Sequence, residues 1–309
     1  MNPKDQIAGR IEFAKLSGSG NDFICIDNRN GRFDSLLDCP SEVGRFASTI
    51  CRRALAVGAY GVIFACINNE VEGFADLSAR HFEPDGSEAE LCGNGVACFT
   101  RWVCDNGWIA ARELKILTIA GVVRGKLLDD GYVRVCITLP EDMRMGLKIQ
   151  AGDRIWDCDF VITGVPHLVV YVDDLDNLEI SKFGPALRYH EQFAPRGVNV
   201  NFVKVLSEGS LAMRTWEFGV EGETLACGTG SAAAAILSSR RFNWPADYFA
   251  GRKYVNVTAR SGSVLRIYFE MTIDTLQQAQ VTDLCLETLV SRVYQGVLDD
   301  SLVGMAMGR

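Results

Sequence analysis

The chain is poor in several features that mark whole classes of protein. It has three histidines, His81, His167 and His190, and eight prolines in 309 residues, with no Ser/Gly-rich or charged tract of linker length. That excludes a long flexible linker and points to domains that meet closely. Positive charge is scarce: 31 Lys and Arg against 39 Asp and Glu leave a net charge of −8. A chain without a basic face is poorly suited to nucleic acid, and a small molecule is the expected partner. No stretch approaches the ~18 apolar residues of a membrane span, and Met1-Asn2-Pro3-Lys4-Asp5-Gln6 lacks the basic-then-apolar order of a secretion signal. The expectation is a cytoplasmic protein without membrane contact.

Cysteine, by contrast, is plentiful, with eleven in the chain. An odd number cannot all pair, no C-x-x-C occurs, and no histidine stands at ligand spacing from a cysteine, so neither a disulfide framework nor a metal is expected. Cys25, Cys39, Cys51, Cys66, Cys98, Cys104, Cys136, Cys158 and Cys285 read as small buried hydrophobes. The other two sit in a repeated signature: Leu91-Cys92-Gly93-Asn94-Gly95-Val96-Ala97-Cys98 and Ala226-Cys227-Gly228-Thr229-Gly230-Ser231-Ala232-Ala233. Each cysteine precedes a Gly-X-Gly turn that opens a helix-forming run. Unpaired amides and the macrodipole at a helix N-terminus favour an anion, so each thiol is disposed to ionise.

Periodicity places these motifs in a duplicated β-rich module. The pattern predicts strands at Ile11–Lys15, Phe23–Ile26, Gly61–Ala65 and Gly73–Phe82, a helix over 41–57, the first Cys-Gly-Asn-Gly helix ending at Asn106-Gly107, then strands at Leu114–Thr118, Val122–Leu127 and Tyr132–Thr138. The order recurs with strands near Trp156–Thr163, His167–Val172, Val198–Val205 and Leu211–Glu217, the second helix through Arg241, and strands near Tyr254–Ala259, Ser263–Phe269 and Gln278–Leu286. The fold expected is α/β (α+β): two domains, each a curved, mostly antiparallel sheet around one central helix, with the thiols in the cleft between them. The expected bounds are 1–137 with 272–309, and 138–271.

Two acidified thiols on opposite sides of one carbon can remove a proton from one face and return one to the other. The amides of Gly93, Asn94, Gly228 and Thr229 can offset the carboxylate of an amino acid as its α-proton leaves. Such chemistry needs no cofactor. Inert helix starts, a redox sensor and an amino-acid-binding module are the alternatives at this point.

Five ordered blocks then resemble the diaminopimelate epimerase family: Gly18-Ser19-Gly20-Asn21-Asp22-Phe23, Asp85 through Gly95, Gly164-Val165-Pro166-His167, Val198-Asn199-Val200-Asn201-Phe202 and Glu223 through Gly230. The resemblance implies two pseudo-symmetric domains, a homodimer, and cofactor-independent inversion at an amino-acid α-carbon. It implies Cys92 and Cys227 as the acid/base pair and His167 and Glu217 as assistants to their proton transfers. Asn21 and Asn94 would hold the reacting end of the substrate and Asn199 its far end. Proline racemases resemble the fold but usually carry histidine where Asn94 stands, and phenazine-pathway isomerases lack the thiol pair.

The chain departs from the family pattern at the distal end. Glu83-Pro84-Asp85-Gly86 replaces an Asn-x-Asp-Gly tetrad, Glu217-Phe218-Gly219 replaces Glu-Arg-Gly, and Val165 stands where many members have Asn. Losing Arg and gaining Glu makes that pocket more negative by about two charges, disfavouring a distal carboxylate. The reading from sequence is therefore an amino-acid racemase favouring a basic or aromatic side chain (histidine, lysine, arginine or ornithine), with Phe218 available for cation–π contact and Glu83 for charge. The alternative is diaminopimelate epimerase itself, acting from the LL to the meso isomer in lysine and peptidoglycan biosynthesis, with Arg196 or Arg214 supplying the missing contact.

Overall fold

The computed structural model describes residues 10–67, 74–89, 92–275 and 279–308. Met1 to Gln6, Gly73 at the head of one expected strand, Leu91 of the first signature and Gln278 lie outside the described residues. The chain falls into two compact units, 1–135 with 289–309, and 136–288.

In the first unit, β1 (Glu12–Gly18) and β2 (Asn21–Asp27) form an antiparallel hairpin. Ser19 and Gly20 both take positive φ in its turn, which matches the twist of the paired strands. The helices α1 (Asp34–Leu37) and α2 (Pro40–Ile50) carry the chain to β3 (Gly61–Cys66), parallel to β2. The antiparallel strand β4 (Leu77–Phe82) follows, and α3 (Gly93–Asp105) then crosses to β5 (Glu113–Thr118), parallel to β4. After it come β6 (Gly121–Leu127) and β7 (Tyr132–Cys136). Phe33, Phe46, Phe64 and Phe82 pack between α2 and the sheet. The expected helix over 41–57 ends at Ile50, because the chain reverses there: Gly58 N donates to Ile50 O and Ala59 N to Cys51 O.

The second unit repeats this plan. It begins with β8 (Glu141–Ala151), where no strand was expected, then β9 (Arg154–Thr163) antiparallel to β10 (Val165–Tyr171). The helix α4 (Ile180–Arg188) crosses to β11 (Asn199–Ser207), parallel to β10, and β12 (Ser210–Glu217) returns antiparallel, with the short β13 (Gly222–Thr224) on its end. The helix α5 (Gly228–Arg241) and a short α6 (Ala246–Phe249) cross to β14 (Val255–Thr258), parallel to β12 and antiparallel to β15 (Val264–Ile273). Antiparallel hairpin, helical crossover to a parallel strand, antiparallel return and a second helical crossover thus occur in the same order twice. The periodic duplication in the sequence is a duplication of topology.

The final strand, β16 (Ala279–Val297), pairs with β15 through Glu287 and with β1 from Val290 onward, and α7 (Asp300–Met307) ends the described chain. Because residues 279–287 complete the second unit's sheet, the return to the first unit falls at 288/289 rather than 271/272, and the outward crossing falls at 135/136. The crossover helices α3 and α5 are enclosed. Ten of the thirteen residues of α3 are buried, and α5 is buried continuously from Gly230 to Ser239. The run Ala232-Ala233-Ala234-Ala235 lets strands approach α5 closely from several sides.

Four of the nine cysteines expected to be buried are not. Cys39, Cys66, Cys104 and Cys136 are partly exposed, whereas Cys25, Cys51, Cys98, Cys158 and Cys285 are buried. The correction reflects position: Cys39 precedes α2 and Cys104 lies in the last turn of α3, where the chain emerges from the core.

Candidate active site

Cys92 caps α3 with φ −131° and ψ 112°, and Cys227 caps α5 with φ −130° and ψ 111°. In each case the first intrahelical bond comes from the residue four positions on, Val96 N to Cys92 O and Ser231 N to Cys227 O, both at 2.9 Å. The amides of Gly93, Asn94 and Gly95, and of Gly228, Thr229 and Gly230, precede that bond and need acceptors from outside the helix. Two thiols therefore occupy the same backbone position at two anion-favouring helix starts.

Around Cys92, Asn94 donates through Nδ2 to Asn21 Oδ1 at the head of β2. Asn94 Oδ1 is buried without a hydrogen-bond partner among the described residues. An acceptor left in this state costs roughly 1–3 kcal/mol unless a ligand donor such as an ammonium meets it. Glu83 sits partly exposed in the turn closed by Gly86 N to Glu83 O at 3.0 Å. His81, which sequence reasoning assigned no role, lines a small cavity of about 20 Å³ together with Cys92, Ile63, Val96 and Phe99. Burial pushes its imidazole down to about 4, so it is neutral.

Around Cys227 the network is more extensive. His167 is fully buried in β10, and its Nε2 lies 3.0 Å from Thr229 Oγ1, whose hydroxyl is 3.7 Å from Cys227 Sγ. Asn201 fixes the direction of this chain. Its Nδ2 must donate to Leu168 O (3.2 Å), so the same group also donates to His167 Nδ1 (3.2 Å), while its Oδ1 accepts from Thr215 (3.0 Å). With Nδ1 an acceptor, the imidazole proton resides on Nε2 and is donated to Thr229, leaving the Thr229 proton for the sulfur. His167 thus supports Cys227 through Thr229 rather than by touching it, and burial holds it neutral, down to about 3.

Glu217, at the end of β12, hydrogen-bonds the Cys227 thiol. Burial pushes its carboxyl above the usual range, and the bond to Cys227 works against that rise. Gly230 is required here: a Cβ would come within 2.3 Å of Asn201 Oδ1 and 3.2 Å of Cys227 Sγ. Asn201 and Thr215 were missed as site residues. Their only signal was that Asn201 alternates with Asn199 along one strand.

Of the distal residues, Asn199 and Phe218 lie on the second unit and Glu83 on the first. Asn199 is buried at the head of β11, and its Oδ1 accepts from Phe218 N at 2.6 Å. The Phe218 ring is 38% exposed and carries the Arg188 guanidinium 4.3 Å from its centroid. Arg188 is itself buried, donates to Arg196 O (3.0 Å) and Glu221 Oε1 (3.2 Å), and has an Nε without a hydrogen-bond partner among the described residues. Gly197, with φ +75°, leaves room for this: a Cβ would stand 1.8 Å from Arg188 Nη1. Arg214 is taken up by a two-pronged pair with Glu223 (2.7 and 2.8 Å) and by the Leu175 carbonyl. Arg196 is exposed. The guanidinium beside Phe218 therefore belongs to Arg188, and not to either arginine named from the sequence.

Solved structures share this architecture. A hydroxyproline epimerase from Agrobacterium vitis with bound trans-4-hydroxy-L-proline superposes with a TM-score of 0.66, covering 97% of this chain and 96% of that one at 15% identity. A phenazine biosynthesis protein of the PhzF family from Bacillus anthracis gives 0.67 over 94% and 99%, also at 15% identity. The fold is the one shared by these two solved structures. At the level of sequence, a family model described as diaminopimelate epimerase matches residues 13–140 and 160–267. The diaminopimelate epimerase of Aquifex aeolicus is 38% identical over 94% of this chain and 100% of its own length, and that of Archaeoglobus fulgidus is 37% identical over 94% and 96%. The chain belongs to the diaminopimelate epimerase family and is an isomerase of amino-acid metabolism. Among the described residues, no helix is long and apolar enough to cross a membrane.

Proposed function

We propose that this protein is a diaminopimelate epimerase, inverting one α-carbon of LL-diaminopimelate to give the meso isomer without a cofactor. The observation that carries the reading is the matched pair of capping cysteines, identical in backbone conformation to within 1°. In the proposed reaction Cys92 and Cys227 address opposite faces of the substrate α-carbon. The amides of Gly93, Asn94, Gly228 and Thr229 receive the carboxylate, and Asn94 Oδ1 and Asn21 hold the α-ammonium. One thiolate takes the α-proton as negative charge moves onto the carboxylate, and the opposing thiol delivers its proton to the other face. The hydroxyl of Thr229, oriented by neutral His167, stabilises Cys227 as thiolate, and Glu217 exchanges the proton when Cys227 is the acid.

The competing reading, a racemase for basic side chains, rested on Phe218 and Glu83. It loses force at Phe218, because a ring with one guanidinium already 4.3 Å from its centroid gains less from a second cation. The full-length relatives carry the diaminopimelate name, and Arg188 places a guanidinium beside the residue that replaced the family arginine. We therefore assign Asn199, Phe218 and Glu83 to the distal end of diaminopimelate.

Incubation with LL-diaminopimelate and a panel of L-histidine, L-lysine, L-arginine and L-ornithine, followed by chiral chromatography, tests this assignment. Isomerisation of diaminopimelate at least ~10-fold faster than any other substrate supports it. Faster turnover of a basic amino acid overturns it.

A further inference from the structure

One pair of cysteines outside the proposed active site stands closer than packing alone requires. Cys136 Sγ and Cys285 Sγ are 2.9 Å apart although the residues are 149 positions apart in the chain. They occupy neighbouring strands, Cys136 as the last residue of β7 and Cys285 within β16. Ile137 N donates to Leu284 O at 3.0 Å, so the two cysteines are offset from that bond by one residue on each strand, in opposite directions. This is the spacing of adjacent rungs in an antiparallel ladder, and it puts the cysteines at a non-hydrogen-bonded rung. There the Cα atoms stand about 4.5 Å apart, within the range that a disulfide spans.

Asp283 Oδ1 lies 3.7 Å from Cys285 Sγ, and the three side chains form a compact cluster with Cys136 partly exposed, Asp283 exposed and Cys285 buried. Two sulfurs on one tetrahedral zinc ion, each about 2.3 Å from the metal, stand about 3.8 Å apart. The observed separation is nearly 1 Å shorter than that and lies between the metal-bridged and the covalently bonded distances. The geometry therefore favours a direct bond between the sulfurs over a shared ion.

We propose that Cys136 and Cys285 form a reversible disulfide, with a small-molecule disulfide such as oxidised glutathione as oxidant. The Cys136 thiolate, on the solvent-accessible side, attacks one sulfur of the oxidant, whose S–S bond breaks to release one glutathione thiolate. The Cys285 thiolate then attacks Cys136 Sγ of the mixed disulfide and expels the second glutathione. Two protein thiols are oxidised, one small disulfide is reduced to two thiols, and the two protein protons end on the glutathione sulfurs.

The bond is a clasp on the second unit. Cys136 is that unit's first residue and Cys285 lies three residues before its last, so the closed ring contains β8 through β15 with α5 and Cys227. Closing so long a loop restricts the unfolded chain strongly.

The test treats the full-length protein with oxidised glutathione, maps disulfides by peptide mass spectrometry without reduction, and compares melting temperatures with and without subsequent reduction. A Cys136–Cys285 linkage is expected, with a rise of at least ~5 °C that is reversed by dithiothreitol and absent in Cys136→Ser. A conservative Cys285→Ser variant checks the same loss from the buried side. The proposal is overturned if both cysteines are recovered as thiols or glutathione adducts, or if they are linked to other partners. It is equally overturned if added zinc binds stoichiometrically in the wild type, is lost in Cys136→Ser, and blocks oxidation.

Discussion

Replacing Thr229 by valine keeps the shape of the side chain and removes the one hydroxyl between His167 and Cys227. The Thr229 Oγ1 to Cys227 Sγ separation of 3.7 Å makes this a long hydrogen bond to sulfur. Bonds to charged groups contribute about 1.5–3 kcal/mol, and one this long falls just below that range, at about 1–1.4 kcal/mol for the thiolate. The substitution also leaves the buried Nε2–H of His167 without the acceptor it now has at 3.0 Å, at a cost of about 1–2 kcal/mol in stability. Alkylation of Cys227 by iodoacetamide at neutral pH, followed by peptide mapping, should slow about five- to tenfold, while alkylation of Cys92 is unchanged. Turnover should fall by a similar factor, and Thr229→Ser should restore both. Unchanged Cys227 alkylation together with unchanged turnover would refute the relay from His167 through Thr229.

Three further outcomes follow from the same geometry. Gly230→Ala forces a Cβ to within 2.3 Å of Asn201 Oδ1, whereas the nearest atom to a Cβ on Gly95 is 3.4 Å away. The first variant should lose about 1–3 kcal/mol in denaturant titrations and most of its activity, the second far less, even though the two glycines are equivalent in sequence. Arg188→Met should lower kcat/KM for diaminopimelate at least ~10-fold and leave the alkylation rates of both catalytic cysteines unaltered. His81 and His167 are held neutral by burial, down to about 4 and about 3, against an ordinary value of 6.5. Since the unfolded chain binds these protons first, stability is fully present above about pH 6.5 and falls as pH drops toward 4. His167→Asn should flatten that slope in urea titrations between pH 6.5 and 4.

Much of this was legible in the sequence because the catalytic half of the site is written locally. A cysteine, a Gly-X-Gly turn and a helix-forming run are contiguous, and the two copies appear as matched caps on α3 and α5. The strands were readable where apolar residues run or alternate over several positions, as in β1, β2 and β9 to β12. Other elements were not. No strand was expected directly after Leu139-Pro140, yet β8 starts at Glu141, and no helix was expected across Gly184 and Pro185, where α4 forms. Gly184 is tolerated there because the Trp216 ring packs against it, where a Cβ would meet ring atoms at 2.7 Å.

The distal pocket was less legible for a physical reason. Charge counting from Phe218 and Glu83 assumed that only residues of the familiar motifs face the substrate. Arg188 comes from α4, outside those motifs, and its position beside Phe218 depends on the absence of a Cβ at Gly197, which no motif records. The Cys136–Cys285 pair escaped notice for a related reason: a spacing of 149 residues carries no local signal, and only the ladder between β7 and β16 brings the sulfurs together.

The central claim is that two different thiols act on opposite faces of one α-carbon, and early-time isotope placement tests it most directly. LL-diaminopimelate should be converted in deuterium oxide to low extent, and the α-hydrogen of substrate and product examined by mass spectrometry. Two thiols require that the meso product carry solvent deuterium at the inverted carbon while recovered LL-substrate remains protonated. Deuterium appearing equally in both, or product retaining the original hydrogen, would mean that a single group removes and returns the proton, and the account would fail.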